Sequence, residues 1–68
     1  MALDIRESMQ QMQRQHPRVR WQAMEPGQVH RFITKLGYEG AWARCKYDVI
    51  YFHEDGREMA MVVWGLVE

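Results

Sequence analysis

Cysteine is almost missing from this chain. Cys45 stands alone, so no internal disulfide can staple the fold, and a lone thiol suits a reducing cytoplasm better than a secreted, disulfide-built scaffold. The N-terminus, MALDIRESMQQMQ, lacks the charged-then-apolar pattern of a signal peptide. No apolar run approaches the roughly 20 residues of a membrane helix. The expectation is a cytoplasmic protein with no membrane partner. Starting at Met1, the chain also reads as a complete small protein, a single domain over 1–68 with room for one modest core.

The usual marks of chemistry are also missing. There is no glycine-rich phosphate loop. The three histidines and the cysteine (His16, His30, His53 and Cys45) show none of the close spacings of a zinc site. Cys45 and His53 would sit at opposite ends of one strand, too far apart at about 3.3 Å per residue to share an ion. Cys45 as a nucleophile would need a nearby base and an electropositive setting. Arg44 and Lys46 flank it, but on a strand they point to the other face, so a small buried hydrophobe is the simpler role. No metal, no cofactor, no small-molecule substrate and no enzymatic activity are expected.

Net charge is zero, but its halves differ: residues 1–47 hold eight Lys/Arg against four Asp/Glu, and residues 48–68 hold one against five. Neutrality weighs against a dedicated nucleic-acid binder, while the basic N-terminal part keeps that alternative in view.

What is present is a hairpin. Tyr47 to Val67 carries two β-branched and aromatic runs around His53-Glu54-Asp55-Gly56-Arg57-Glu58. Asp-Gly is a favoured type I′ loop. If Asp55-Gly56 is the loop, Glu54 faces Arg57, His53 faces Glu58, Phe52 faces Met59, and so on out to Tyr47 and Trp64. Cys45, Tyr47, Val49, Tyr51, Ala60, Val62, Trp64 and Leu66 then share one face, free of charge until the tip. The other face carries Arg44, Lys46 and Asp48 at the open end and Ile50, Phe52, Met59, Met61 and Val63 nearer the turn. A half-solvated sheet has one polar face; here both are apolar.

The rest of the chain supplies cover. Residues 4–15 form an amphipathic helix with Ile5, Met9, Met12 and His16 on one side, Asp4 as cap and Pro17 as stop. Arg18 to Ala23 alternates and reads as an extended edge segment. Pro26 opens a second helix with Val29, Phe32, Ile33 and Leu36 as its apolar stripe and Gly37 as its C-cap. Ala41 to Cys45 either extends the first hairpin strand or forms a separate strand that turns at Lys46 to Asp48 into a three-stranded meander; the meander is preferred, because a lone hairpin is marginal in water. The fold expected is α+β, two helices on a small antiparallel sheet dominated by a C-terminal hairpin, in the order α-(β)-α-β-β-β.

Two functions fit this reading. In the first, the chain is a small protein-binding domain, an inhibitor or adaptor of the kind phages and mobile elements carry, binding another protein or itself as a homodimer. Two short helices cover one sheet face, and Ile50, Phe52, Met59, Met61 and Val63 stay open as an apolar patch rimmed by Arg44 and Lys46; the competing arrangement puts one helix on each face and leaves no patch. In the alternative, helix, helix and hairpin are similar in order to a winged-helix layout, and Arg14, Arg18, Arg20, Arg31 and Lys35 meet phosphates. The acidic hairpin tip (Glu54, Asp55 and Glu58) opposes that alternative.

Overall fold

Asp55 and Gly56 both take positive φ, 52° and 74°, as the central residues of a type I′ turn require. Every pair counted outward from this loop is present, from Glu54 with Arg57 to Tyr47 with Trp64. A computed structural model describes residues 4–38 and 45–66. In chain order its elements are α1 (Ile5–Gln15), β1 (Val19–Met24), a 3-10 turn (Pro26–Gln28), α2 (Val29–Tyr38), β2 (Cys45–Glu54) and β3 (Arg57–Leu66). The protein is α+β: two helices and a three-stranded antiparallel sheet ordered β1-β3-β2.

The third strand is not the one expected. β2 runs without interruption through Lys46, Tyr47 and Asp48, which pair with Gly65, Trp64 and Val63, so no turn falls there. The third place is taken by β1, whose Arg20, Gln22 and Met24 lie opposite Trp64, Val62 and Ala60. Its alternating pattern was legible as an edge segment. Ala41 to Arg44 lie outside the described residues.

α1 is held at both ends by the groups the sequence offers. The Asp4 carboxylate accepts a hydrogen bond from the Arg6 backbone N–H at 3.0 Å, a cap worth about 1 kcal/mol. His16, before Pro17, leaves the helix at φ −130° and ψ 82°, outside the α region that a following proline disfavours. The buried stripe differs from the one expected. Met9 is buried and Ile5 and Gln13 half-buried, while Met12 and His16 are exposed. The contact thus follows the i, i+4, i+8 row, which is inclined to the helix axis.

In the second helical segment Pro26 occupies the first turn, where its missing N–H leaves no donor unpaired. Val29 and Leu36 are buried and Phe32 and Ile33 half-buried. Gly37 does not end the helix, which continues through it to Tyr38. Its φ is not positive, so it takes helical geometry at the modest cost glycine carries there.

Side chains opposite one another on paired strands share a face. The first face carries Met24, Ala60, Val62, Val49 and Trp64, and α2 packs on it. Met24, Val29, Ala60 and Val62 form one buried cluster with Phe32, Ile33, Val49 and Trp64 against it. The Phe32 and Trp64 rings meet edge to face, 5.1 Å apart. This is the core expected from the sequence.

The second face carries Trp21, Ala23, Ile50, Phe52, Met59, Met61 and Val63. Met61 on it is fully buried, as is its neighbour Val62 on the first face, so both sides of β3 are covered. The cover here is α1. Arg6 bonds Glu54 of this face at 2.9 Å, and Ile5 and Phe52 line one cleft. The molecule measures 38 × 29 × 11 Å along its principal axes.

Two ion pairs tie the hairpin tip to the segments beside it: Arg6 with Glu54 at 2.9 Å and Arg57 with Glu25 at 2.6 Å. All four side chains are at least 40% exposed, so each pair is worth a few tenths of a kcal/mol. Glu54 and Arg57 face each other across the strands as expected, and their charged ends reach outward to these partners.

Candidate protein-binding surface

The second face is not the open apolar patch that was expected, because the residue at its middle, Met61, is fully buried. Ile50, Phe52, Met59 and Val63 are half-buried, with Phe52 lining a cleft beside Ile5 of α1. The expectation treated the charges at the open end as a reason to leave the whole face bare. A helix of eleven residues spans about 16 Å, while a strand of ten spans about 33 Å. α1 can therefore cover the apolar half near the turn while Lys46 and Asp48 remain exposed beyond it. Arg44, the remaining rim residue, lies outside the described residues.

The cations of the alternative reading are only partly brought together. Arg31 and Lys35 line a cleft between α2 and β1 with Gln22, Gln28, Met24 and Phe32. Arg14 and Arg18 are exposed where α1 leads into β1. The Arg20 guanidinium turns back to donate to the carbonyls of Pro17 and Val19, so it covers its own backbone. The hairpin is no free wing, because β3 is the middle strand of a sheet covered on both faces. α2 packs its apolar stripe on the sheet and leaves His30, Arg31, Thr34 and Lys35 exposed on its other side.

A cleft of about 530 Å³ opens at the hairpin tip, lined by Asp4, Ile5, Arg6, Ser8, Phe52, His53 and Glu54. Its charged groups are already spoken for: Asp4 caps α1, and Arg6 holds Glu54. His53 and Glu58 face each other across the strands and are exposed, an ordinary cross-strand pair. Among the described residues no group of three or more His, Cys, Asp or Glu side chains could hold a metal ion. No helix among them is long and apolar enough to cross a membrane.

What the structure does expose is the outer side of β2. Tyr47 and Tyr51 lie on the first face of this strand, 48% and 57% exposed. The cluster under α2 is centred on β1 and β3, so the helix reaches Val49 only at its fringe and leaves the tyrosines on either side of it open. Tyr38, at the end of α2, is 84% exposed. All three tyrosines of the chain are thus at the surface. In the sequence Tyr47 and Tyr51 fell on the charge-free face, the one expected to receive α2. Their exposure depends on strand order, which a single sequence does not display.

The backbone at this edge is exposed in an ordered way. In a two-residue hairpin the residues flanking the loop, Glu54 and Arg57, exchange both backbone hydrogen bonds, and bonded pairs then alternate along the ladder. The even-numbered residues of β2 therefore bond to β3. Tyr47, Val49, Tyr51 and His53 point their N–H and C=O groups outward. Among the described residues no strand pairs with that side. The opposite edge is better protected. β1 is six residues long, and by the same alternation Val19 points its carbonyl outward, where Arg20 caps it. A long edge that no described strand pairs with, carrying amphipathic aromatic side chains, is a template for another chain. Comparison with family models, with curated proteins and with solved structures finds no match for this chain.

Proposed function

We propose that this chain is a small, non-enzymatic protein-binding domain of a reducing cytoplasm, an inhibitor or adaptor that works by laying the outer side of β2 against another protein chain. The observation that carries the reading is the exposure of Tyr47 and Tyr51 on a ten-residue edge strand. Tyrosine gives a large contact area at low entropic cost and keeps a polar tip for hydrogen bonding. An unpaired strand edge supplies main-chain donors and acceptors at a regular spacing, and side chains on alternate positions provide selectivity. The accessory proteins of phages and mobile elements commonly work by such occlusion, and this chain suits that use.

The test is the Tyr47→Ser/Tyr51→Ser double variant. Both side chains are half open to solvent, so its circular dichroism and melting temperature should stay close to those of the parent. Association with the partner captured by the immobilised parent from its host extract should weaken tenfold or more. Equal capture by a folded double variant would place the binding surface elsewhere.

A further inference from the structure

The charge pattern of β2 identifies a partner: we propose that the outer edge of β2 pairs with the same edge of a second copy of this chain, antiparallel and centred on Ile50. The inference rests on the reading of that edge as the binding surface and names its occupant.

Two independent constraints select this register. The first is backbone parity. Only the odd residues of β2 point their hydrogen-bonding groups outward, so an antiparallel partner copy must place odd residues opposite odd residues. The second is charge. On the even positions β2 carries Lys46, Asp48, Ile50, Phe52 and Glu54. Centred on Ile50, Lys46 of each copy lies opposite Glu54 of the other, Ile50 meets itself on the twofold axis, and Asp48 faces Phe52. Centring on Tyr51 would set Asp48 against Glu54, and centring on Asp48 would set Asp48 against itself, two like-charge contacts that cost energy. Centring on Val49 leaves Lys46 opposite Phe52. Centring on Tyr47 pairs Lys46 with Asp48 but leaves most of the strand unpaired.

The favoured register engages the whole length from Lys46 to Glu54. On the first face it sets Val49 against Tyr51 and Tyr47 against His53, each twice. β-branched with aromatic is a favourable cross-strand combination, and it uses the two tyrosines that α2 leaves open. Lys46 is exposed, and Glu54 keeps 40% of its side chain open while bonded to Arg6, so its carboxylate can accept from both cations. The sheet would become six-stranded with both β1 edges outermost, each capped by Arg20. An isologous twofold contact of this kind is the commonest way for a small protein to close its assembly.

The experiment is molar mass by sedimentation or light scattering from micromolar to millimolar concentration, with two charge variants. The parent should move from 8.2 kDa towards twice that value as concentration rises. Lys46→Glu sets Glu against Glu54, and Glu54→Lys sets Lys against Lys46. Each alone should shift its dimerisation constant at least tenfold weaker while remaining folded by circular dichroism. Mixed in equal amounts they should form a dimer of one copy each, because both cross-strand pairs are then of opposite charge. A parent that stays monomeric overturns the second copy as occupant. If the tyrosine variant still loses a captured protein in that case, the reading of the edge itself survives. A parent that dimerises while the charge variants do so equally well, or while their mixture gains nothing, overturns the register.

Discussion

Met61→Ser should unfold most of the protein. Met61 has no exposed surface and lies between two covered faces of the central strand. Truncating a buried methionine costs about 2–5 kcal/mol. The serine hydroxyl, placed between the strand partners Ile50 and Ala23, adds about 1–3 kcal/mol if unsatisfied. A domain of 68 residues has a total stability of about 3–10 kcal/mol. The substitution therefore consumes most or all of it, and a urea titration followed by circular dichroism should find the variant largely unfolded before denaturant is added. A folded variant with an unchanged midpoint would mean that the second face is open, as the sequence alone suggested.

Phe32→Ala tests the other side of the sheet. Phe32 bridges α2 to the sheet through an edge-to-face contact with Trp64, worth about 0.5–1.5 kcal/mol beyond area burial. Phenylalanine truncations in cores cost about 3–5 kcal/mol, and Phe32 is half-buried, so about 2–4 kcal/mol is expected. Val29 and Ile33 remain to hold the helix, so the loss should appear as a lower urea midpoint with cooperativity retained. A shift of less than about 1 kcal/mol would mean that the stripe of α2 is not the first core.

The contrast between these two sites shows what a single sequence can reveal. Local features were legible because their causes are local. Asp55-Gly56 demands its turn, the turn fixes the register, and Asp4, Pro17 and Pro26 bound the helices. The stripe of α2 and its partners Val49, Val62 and Trp64 followed from periodicity alone. What failed depended on the third dimension. Both hairpin faces are apolar, and that fits equally well with one covered face plus an open patch or with a helix on each face. The charges of Lys46 and Asp48 tipped the inference towards an open patch. They do not forbid cover, because α1 is only half as long as the strand beneath it. Strand order decided the rest. With β1 beside β3, β2 becomes an edge, and Tyr47 and Tyr51 on the charge-free face are left at the surface. Gly37 failed for a different reason: it is compatible with a helix end without enforcing one.

The most direct measurement of the edge as an interface is residue-level amide hydrogen exchange at low and high protein concentration. Amides in the β2–β3 ladder, those of Ile50 and Phe52 among them, should be protected at both. The outward amides of Tyr47, Val49, Tyr51 and His53 should exchange rapidly when dilute and slow together as concentration rises, by tenfold or more. This alternation, fast and concentration-dependent at odd positions and slow throughout at even ones, is the expected result. Odd and even amides that behave alike, or odd amides that stay fast at every concentration and in the presence of any captured protein, would contradict the assignment of β2 as the binding edge.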